Sequence, residues 1–108
     1  MVESNINLKA GDYHYKAYVG PPNRYDFMGA TQFRLLTSLG LRAKHKLLDF
    51  GCGSLRSGKL FIPYLDSGNY YGQEPNQWLI DEGIKNEFTF LLPKSGPYKE
   101  HDEAKIIF

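Results

Sequence analysis

Apolar and polar positions change their spacing several times along this chain, and each spacing predicts a helix or a strand. Apolar residues recur at helical spacing over 26–39, which predicts an amphipathic helix with Asp26 as its N-cap. The apolar run 46–50 predicts a short buried strand. A second helix should begin near Leu55 and be ended by Pro63 and the turn segment Asp66-Ser67-Gly68, because proline interrupts the hydrogen bonding of a helix. The apolar face of the first helix would comprise Ala30, Phe33, Leu35, Leu36 and Leu39.

The second half of the chain continues this alternation. The aromatic-rich segment 69–73 predicts a second strand, and Asn76 is placed to cap a third helix. The apolar segments 88–92 and 104–108 predict one or two further strands, with a polar loop between them. Alternating strands and helices are typical of the α/β class, so we expect a mostly parallel sheet with flanking helices.

The composition narrows the classes of function. A length of 108 residues predicts one domain, and a net charge of +1 gives no indication of nucleic-acid binding. No stretch approaches the roughly 18 apolar residues of a membrane span, so we expect no membrane partner. Cys52 is the single cysteine, which excludes a disulfide within one chain and fits a cytoplasmic location. The histidines lack the spacing of metal ligands, and we expect no metal site.

A glycine-rich loop follows the first predicted strand directly, in the segment "LLDFGCGSLRSGKL" at 47–60. Loops of this kind bind nucleoside triphosphates, dinucleotides or adenosyl cofactors. The triphosphate pattern G-x-x-x-x-G-K-S/T is matched by Gly53, Gly58 and Lys59. It fails at Leu60, where a hydroxyl should hold magnesium, and Gly58 and Lys59 fall in the interior of the predicted helix.

The dinucleotide pattern G-x-G-x-x-G fits the same loop only in part. Gly51 and Gly53 occupy the first two glycine positions, but Arg56 stands at the third, where a glycine permits close packing of helix on strand. Asp49, immediately before the loop, would also repel a pyrophosphate. The pattern therefore gives little support to a dinucleotide ligand.

An adenosyl cofactor such as S-adenosylmethionine fits the loop better, because it carries a sulfonium and an ammonium instead of phosphate. Asp49 would lie near these positive charges, and Gly51 and Gly53 would supply a tight turn. Glu74 lies 21 residues after Gly53, at the carboxyl end of the predicted strand 69–73, where an acid can accept the ribose hydroxyls. The alternatives are that Asp49 only accepts loop amides and that Glu74 only caps the next helix.

Two stretches, "LLDFGCGSLRSGKLFIPYL" and "NYYGQEPNQWLIDEG", resemble the class I S-adenosylmethionine-dependent methyltransferases. The first is similar to their glycine-rich motif I, and the second to their post-I motif, an aromatic strand that ends in glycine and an acid. The upstream segment "YVGPPNRYDFMGATQFRLLTSLGL" is similar to that of a subgroup of bacterial methyltransferases. The resemblance covers roughly residues 15–87 and implies a Rossmann-like sheet with the cofactor across the carboxyl ends of its first two strands.

The resemblance also implies a set of residues that bind the cofactor. Tyr25 and Gln32 belong to the upstream helix, which in this family often covers the methionine end of the cofactor. Arg56 would reach the cofactor carboxylate, or else brace the loop. Cys52 would be a small packed residue at the site and not a nucleophile. The full set of expected cofactor-binding residues is Tyr25, Gln32, Asp49, Gly51, Cys52, Gly53, Arg56 and Glu74.

The family fold has seven strands, more than a chain of this length can supply, so we expect an incomplete, N-terminal portion of that fold. It would consist of an arm over 1–25, a cover helix over 26–40 and a Rossmann-like portion over 45–108. The expected function is a methyltransferase or its cofactor-binding portion, with an acceptor that the sequence does not identify and no catalytic residue assigned. The alternative is a non-catalytic module, or a fragment that completes its sheet with a second copy or another chain.

Overall fold

The computed structural model describes residues 7–88 and, as backbone alone, residues 105–107. Helices and strands alternate through these residues in the predicted order. The predicted strand 88–92 lies outside the described residues apart from Phe88, as does the loop that follows it. The elements are α1 Tyr25–Ser38, β1 Leu47–Phe50, α2 Gly58–Tyr64, β2 Tyr70–Gln73, α3 Gln77–Glu87 and β3 Lys105–Ile107.

The strands form a parallel sheet in the order β1-β2-β3. Leu47 is paired with Tyr70 and Phe50 with Gln73, so β1 and β2 end at the same level. β3 pairs parallel with β2 on its other side. The α/β class with a parallel sheet is therefore confirmed. No helix in the described part of the chain is long and apolar enough to cross a membrane.

The outer edge of β1 has no neighbouring strand among the described residues. The Leu47 amide donates to the Asn69 carbonyl, so Leu47 and Asp49 direct their peptide groups toward β2. The peptide groups of Leu48 and Phe50 therefore point to the free edge. Their side chains are 60% and 79% exposed, so the prediction of a fully buried strand is wrong for one face of β1. The reason is that no described helix packs on that face.

The hydrophobic core lies between the opposite face of the sheet and the helices. Tyr70 of β2 and Phe61 of α2 are almost fully buried at its centre. Phe33 and Leu36 of α1 pack against this core from one side, with the Phe33 ring 5.3 Å from the Phe61 ring. The buried members of the core are Cys52, Leu55, Phe61, Ile62, Leu65, Tyr70, Ile80 and Phe88.

Helix α1 differs from its prediction at its start and in its buried face. It begins at Tyr25, directly after a 3-10 turn over Pro22–Arg24, so Asp26 lies in its first turn and is not the N-cap. The predicted face was wrong at three positions, because Ala30, Leu35 and Leu39 are exposed. The face that packs inward is instead formed by Tyr25, Gly29, Phe33 and Leu36.

Helix α2 begins at Gly58, three residues later than predicted. The delay follows from Leu55, whose φ of 67° lies in the left-handed region and cannot belong to a right-handed helix. Gly58 and Lys59 consequently start the helix and do not lie in its interior. Helix α2 ends at Tyr64, between Pro63 and the turn segment Asp66-Ser67-Gly68, as predicted. Pro63 itself lies in the last turn, where a missing amide removes only one hydrogen bond.

Two helical glycines allow α1 and α3 to touch the backbone of the glycine-rich loop. A Cβ on Gly29 of α1 would overlap the Arg56 carbonyl oxygen, and a Cβ on Gly83 of α3 would overlap the Ser54 carbonyl oxygen. The loop is therefore held between two helices at backbone contact distance.

Lys59 joins the three helices and the arm. Its ammonium group pairs with Asp26 of α1 and lies 3.1 Å from Glu87 Oε1 of α3. Tyr15 of the arm donates its hydroxyl to Glu87 Oε2 at 2.6 Å. The two carboxylates keep the pKa of Lys59 above its usual value although burial acts to lower it. Lys59 of α2 thus links α1 and α3 through ion pairs, and Glu87 extends this network to the arm.

Candidate functional site

A cavity of about 370 Å³ lies where β1 and β2 end. The carboxyl ends of parallel strands are the usual place for ligands in α/β proteins. All of the predicted cofactor-binding residues except Tyr25 line this cavity. Its complete lining is Tyr18, Val19, Gln32, Asp49, Phe50, Gly51, Cys52, Gly53, Arg56, Ser57, Glu74, Asn76 and Leu79.

The turn at the base of the cavity depends on Gly51 and Gly53, which have φ of 75° and 57°. Side chains are disfavoured at such values, and glycine adopts them freely. A Cβ on Gly51 would meet no atom within 4 Å, so the backbone there is open to a ligand. The Gly51 and Cys52 amides both donate to the Gln73 carbonyl, at 2.7 and 3.0 Å, and fix the turn against β2.

Glu74 is the buried carboxylate of the cavity, with 7% of the residue exposed. Its Oε1 accepts the Gly53 amide at 2.9 Å, and its Oε2 accepts the amide and the side-chain Nδ2 of Asn76 at 3.1 and 2.9 Å. A carboxylate has about four acceptor positions, so one remains for a ligand. Asn76 stands at the N-cap position of α3, but its side chain binds Glu74 and does not cap the helix.

Asp49 is the second carboxylate of the cavity and comes from the other strand. Tyr70 donates its hydroxyl to Asp49 Oδ2 at 2.6 Å. Burial raises the pKa of Asp49, and this effect outweighs the Tyr70 hydrogen bond and the nearby charge of Arg56, which both lower it. The site therefore holds an acid whose negative charge is poorly solvated and would gain from a cationic ligand.

Cys52 and Arg56 have different surroundings at the cavity. Burial, with Asp49 and Glu74 nearby, raises the pKa of the Cys52 thiol to about 12, so the thiol stays protonated at neutral pH. Arg56 donates from Nη1 to the Val19 carbonyl at 3.2 Å and attaches the arm to the edge of the cavity. This hydrogen bond supports the alternative in which Arg56 braces the loop. The guanidinium still lies beside the cavity.

Tyr25 is the predicted site residue that the structure does not bring to the cavity. It is buried under the loop and donates its hydroxyl to the Ser54 carbonyl at 3.0 Å. Burial raises the pKa of its hydroxyl. Gln32, about two helical turns beyond Tyr25, does line the cavity.

Several lining residues were not anticipated from the sequence. Tyr18 and Val19 belong to the arm, and the Val19 side chain lies where a Cβ on Gly53 would stand. The tyrosine content of the arm was the one available signal, but no spacing rule connects it to a loop more than 30 residues away. Asn76 could have been found, since it follows Glu74 closely at the end of the same strand.

Lys59, which a triphosphate loop would direct at phosphates, does not line the cavity and is held by Asp26 and Glu87. Within residues 7–88, no group of three or more His, Cys, Asp or Glu side chains is placed to hold a metal ion. The chemistry of the cavity is therefore that of two carboxylates, one guanidinium and a glycine turn.

Comparison of this chain with protein-family models, with curated proteins and with solved structures finds no match.

Proposed function

We propose that this chain binds S-adenosylmethionine at the glycine turn and Glu74 and that it is a methyltransferase with a Rossmann-like fold, or the cofactor-binding portion of one. The observation that carries the proposal is the Glu74 carboxylate. It is buried against the turn through the Gly53 amide, and it keeps an acceptor position beside the cavity. A buried acid with spare acceptor capacity suits a pair of ribose hydroxyls.

The charges of the cavity support an adenosyl cofactor over a phosphate ligand. Asp49 and Glu74 would both repel a triphosphate or a pyrophosphate, whereas Asp49 favours the ammonium and sulfonium groups of S-adenosylmethionine. The lysine that a phosphate loop requires is held elsewhere by two carboxylates. A volume of about 370 Å³ lies within the range of small-molecule pockets.

The bound cofactor would supply a methyl group already activated by the sulfonium, and the protein would supply binding and alignment. Glu74 would hold the ribose, and Gly51 would let the cofactor approach the backbone. Asp49 and Gln32 would lie at the cavity with Tyr18 and Val19 of the arm as its cover. The Cys52 thiol stays protonated and takes no nucleophilic part.

The test is a calorimetric titration of the chain with S-adenosylhomocysteine, the product form of the cofactor. We expect a dissociation constant in the micromolar range, about −8 kcal/mol. Glu74→Ala should weaken binding by about 1.5–3 kcal/mol, the usual contribution of a hydrogen bond to a charged group. Titrations with ATP and with NAD should give no binding.

Asp66→Asn is the matched control, because Asp66 is an exposed acid outside the cavity lining. This variant should bind S-adenosylhomocysteine like the wild type. Circular dichroism shows whether Glu74→Ala remains folded, since Glu74 also braces the turn. No binding by the folded wild type, or a change below twofold in folded Glu74→Ala, would refute the proposed role of Glu74.

A second candidate function is a non-catalytic S-adenosylmethionine-binding module that completes its sheet by self-association. The outer edge of β1 favours it, because no described strand pairs with the peptide groups of Leu48 and Phe50 there, and their apolar side chains are exposed. An unpaired edge of this kind is a template for another strand. The two candidates differ in oligomeric state and share the same cofactor site.

A further inference from the structure

The described residues hold a second cleft, on the arm side of α3, with a volume of about 380 Å³. It shares no lining residue with the cavity at the glycine turn. The proposed function makes no use of it. Its lining is Tyr13, His14, Tyr15, Trp78, Asp81 and Glu82.

Aromatic rings form the wall of this cleft. The Tyr13 ring lies 4.2 Å from the Trp78 ring, and the Tyr18 ring meets Trp78 edge-on at 5.2 Å. The His14 and Tyr15 rings stack at 5.1 Å. Tyr13 is nevertheless 77% exposed, so its ring remains available to a ligand. A Tyr and Trp wall open to solvent attracts cations through the negative faces of the rings.

Two acids of α3 face the same cleft, and neither has a cationic partner within residues 7–88. Asp81 accepts a hydrogen bond from the side-chain amide of Gln77 at 2.8 Å, and Glu82 accepts one from the side-chain amide of Asn86 at 3.1 Å. Both donors are neutral, so the two negative charges are not compensated.

Within residues 7–88, the basic residues do not fill the cleft. No Lys or Arg lines it, and the nearby Lys16 ammonium lies 5.9 and 5.5 Å from the centres of the Tyr15 and Tyr25 rings. The third acid in this area, Glu87, is already bound to Lys59 and to the Tyr15 hydroxyl. Among the described residues, the cleft therefore combines an aromatic wall with two acids that have no ion-pair partner, and its lining contains no Lys or Arg.

We infer that this cleft binds an organic ammonium cation, of the methylated type found in choline. Aromatic faces favour such cations because their charge is spread over methyl groups and their hydration is weak. Asp81 and Glu82 add attraction without direct contact being required. The inference does not depend on the proposed cofactor site.

The experiment uses Trp78, the only tryptophan of the chain, as a reporter inside the cleft. Choline chloride is titrated while tryptophan fluorescence is recorded, with sodium chloride at matched ionic strength as the reference. We expect a saturable change with a dissociation constant of about 1–10 mM, the scale of a small ligand held by few contacts. Dimethylbutanol, the neutral carbon isostere of choline, should produce no saturable change.

Two variants test the two parts of the cleft. Tyr13→Leu removes an aromatic ring, and the double variant Asp81→Asn with Glu82→Gln removes the charges, and each should weaken choline binding at least fivefold. Asp66→Asn, an exposed acid elsewhere, should leave it unchanged. An equal response to dimethylbutanol, the absence of saturation, or unchanged affinity in the folded double variant would overturn the inference.

The outcome is separable from that of the proposed function. Folded Glu74→Ala should bind choline like the wild type, because Glu74 does not line the cleft. Failure of S-adenosylhomocysteine to bind therefore leaves the cation site intact, and failure of choline to bind leaves the cofactor site intact.

Discussion

At the scale of single residues, Asp49 shows how the cavity couples binding to stability. Its carboxylate is half-buried and receives one hydrogen bond, from Tyr70. Burial raises its pKa, so the folded chain holds the proton of Asp49 at pH values where the unfolded chain has lost it. An acid that destabilises the fold when ionised, and that lies in the cavity, is consistent with a binding role.

This arrangement predicts a pH dependence. The unfolded chain releases the Asp49 proton near pH 4, its ordinary value, and the folded chain releases it only at the raised pKa. The stabilising contribution of protonated Asp49 is therefore full below about pH 4 and is lost as the pH rises through the raised pKa. Asp49→Asn, which still accepts the Tyr70 hydroxyl, should be more stable than the wild type at neutral pH.

Urea unfolding over a series of pH values measures this difference. The free energy of unfolding of the wild type should fall relative to that of Asp49→Asn as the pH rises. The same variant should bind S-adenosylhomocysteine more weakly, because the cofactor ammonium loses its counter-charge. Parallel pH profiles for the two proteins would show that Asp49 has an ordinary pKa in the folded chain.

At the scale of elements, the glycine-rich loop derives its shape from the helices around it. Gly29 of α1 and Gly83 of α3 let both helices touch loop carbonyls, and Lys59 connects the same helices through Asp26 and Glu87. The loop is thus positioned by contacts with two helices that Lys59 joins, which is how a loop without regular structure can present a defined site.

Because Gly83 of α3 packs directly on the loop backbone, replacing it with alanine should change the free energy of unfolding. Gly83→Ala should lower the free energy of unfolding by about 1–3 kcal/mol, because the Cβ would overlap the Ser54 carbonyl and force the loop away. The higher helix propensity of alanine, about 1 kcal/mol, acts in the opposite direction. Denaturant unfolding measures the balance.

The control for Gly83→Ala is Lys85→Ala on the exposed face of the same helix, which should change the free energy of unfolding by no more than about 0.5 kcal/mol. A stabilisation of Gly83→Ala by the propensity difference alone would mean that α3 does not rest on the loop in solution.

At the scale of the whole molecule, the sheet is unfinished on the β1 side within the described residues. Parallel sheets in proteins are nearly always covered on both faces, yet Leu48 and Phe50 are exposed on one of them. The net charge of +1 offers little repulsion between copies. The peptide groups of Leu48 and Phe50 share one direction, so two copies can pair antiparallel about a two-fold axis.

The self-associating module predicts a dimer through the β1 edges, which size-exclusion chromatography with light scattering measures. The double variant Leu48→Lys with Phe50→Lys should be monomeric, because it places like charges along the shared edge. Leu39→Lys, which changes a similarly exposed apolar residue directly after α1, should leave the dimer intact. A wild type that stays monomeric over the concentration range would favour the methyltransferase portion over the self-associating module.

The local pattern of this sequence determined the order and type of the elements and the position of the glycine turn. It also placed Asp49 and Glu74 at one end of the sheet, because the carboxyl ends of parallel strands meet at the same edge. These features depend on spacing along the chain and on rules that hold for any parallel sheet. They were therefore predictable without coordinates.

The tertiary structure alone decided the rest of the cavity and the exposed faces. Val19 and Arg56 meet across 37 residues, and Tyr15 and Glu87 across 72. Such contacts leave no periodic signal in the sequence. The packing of the arm against the glycine turn therefore could not be predicted, and neither could the pairing of Lys59 with Asp26 and Glu87 away from the cavity. The exposure of Leu48 likewise depends on which helix packs on the sheet. The sequence does not indicate whether a given apolar residue of a strand is buried by a helix or exposed to solvent.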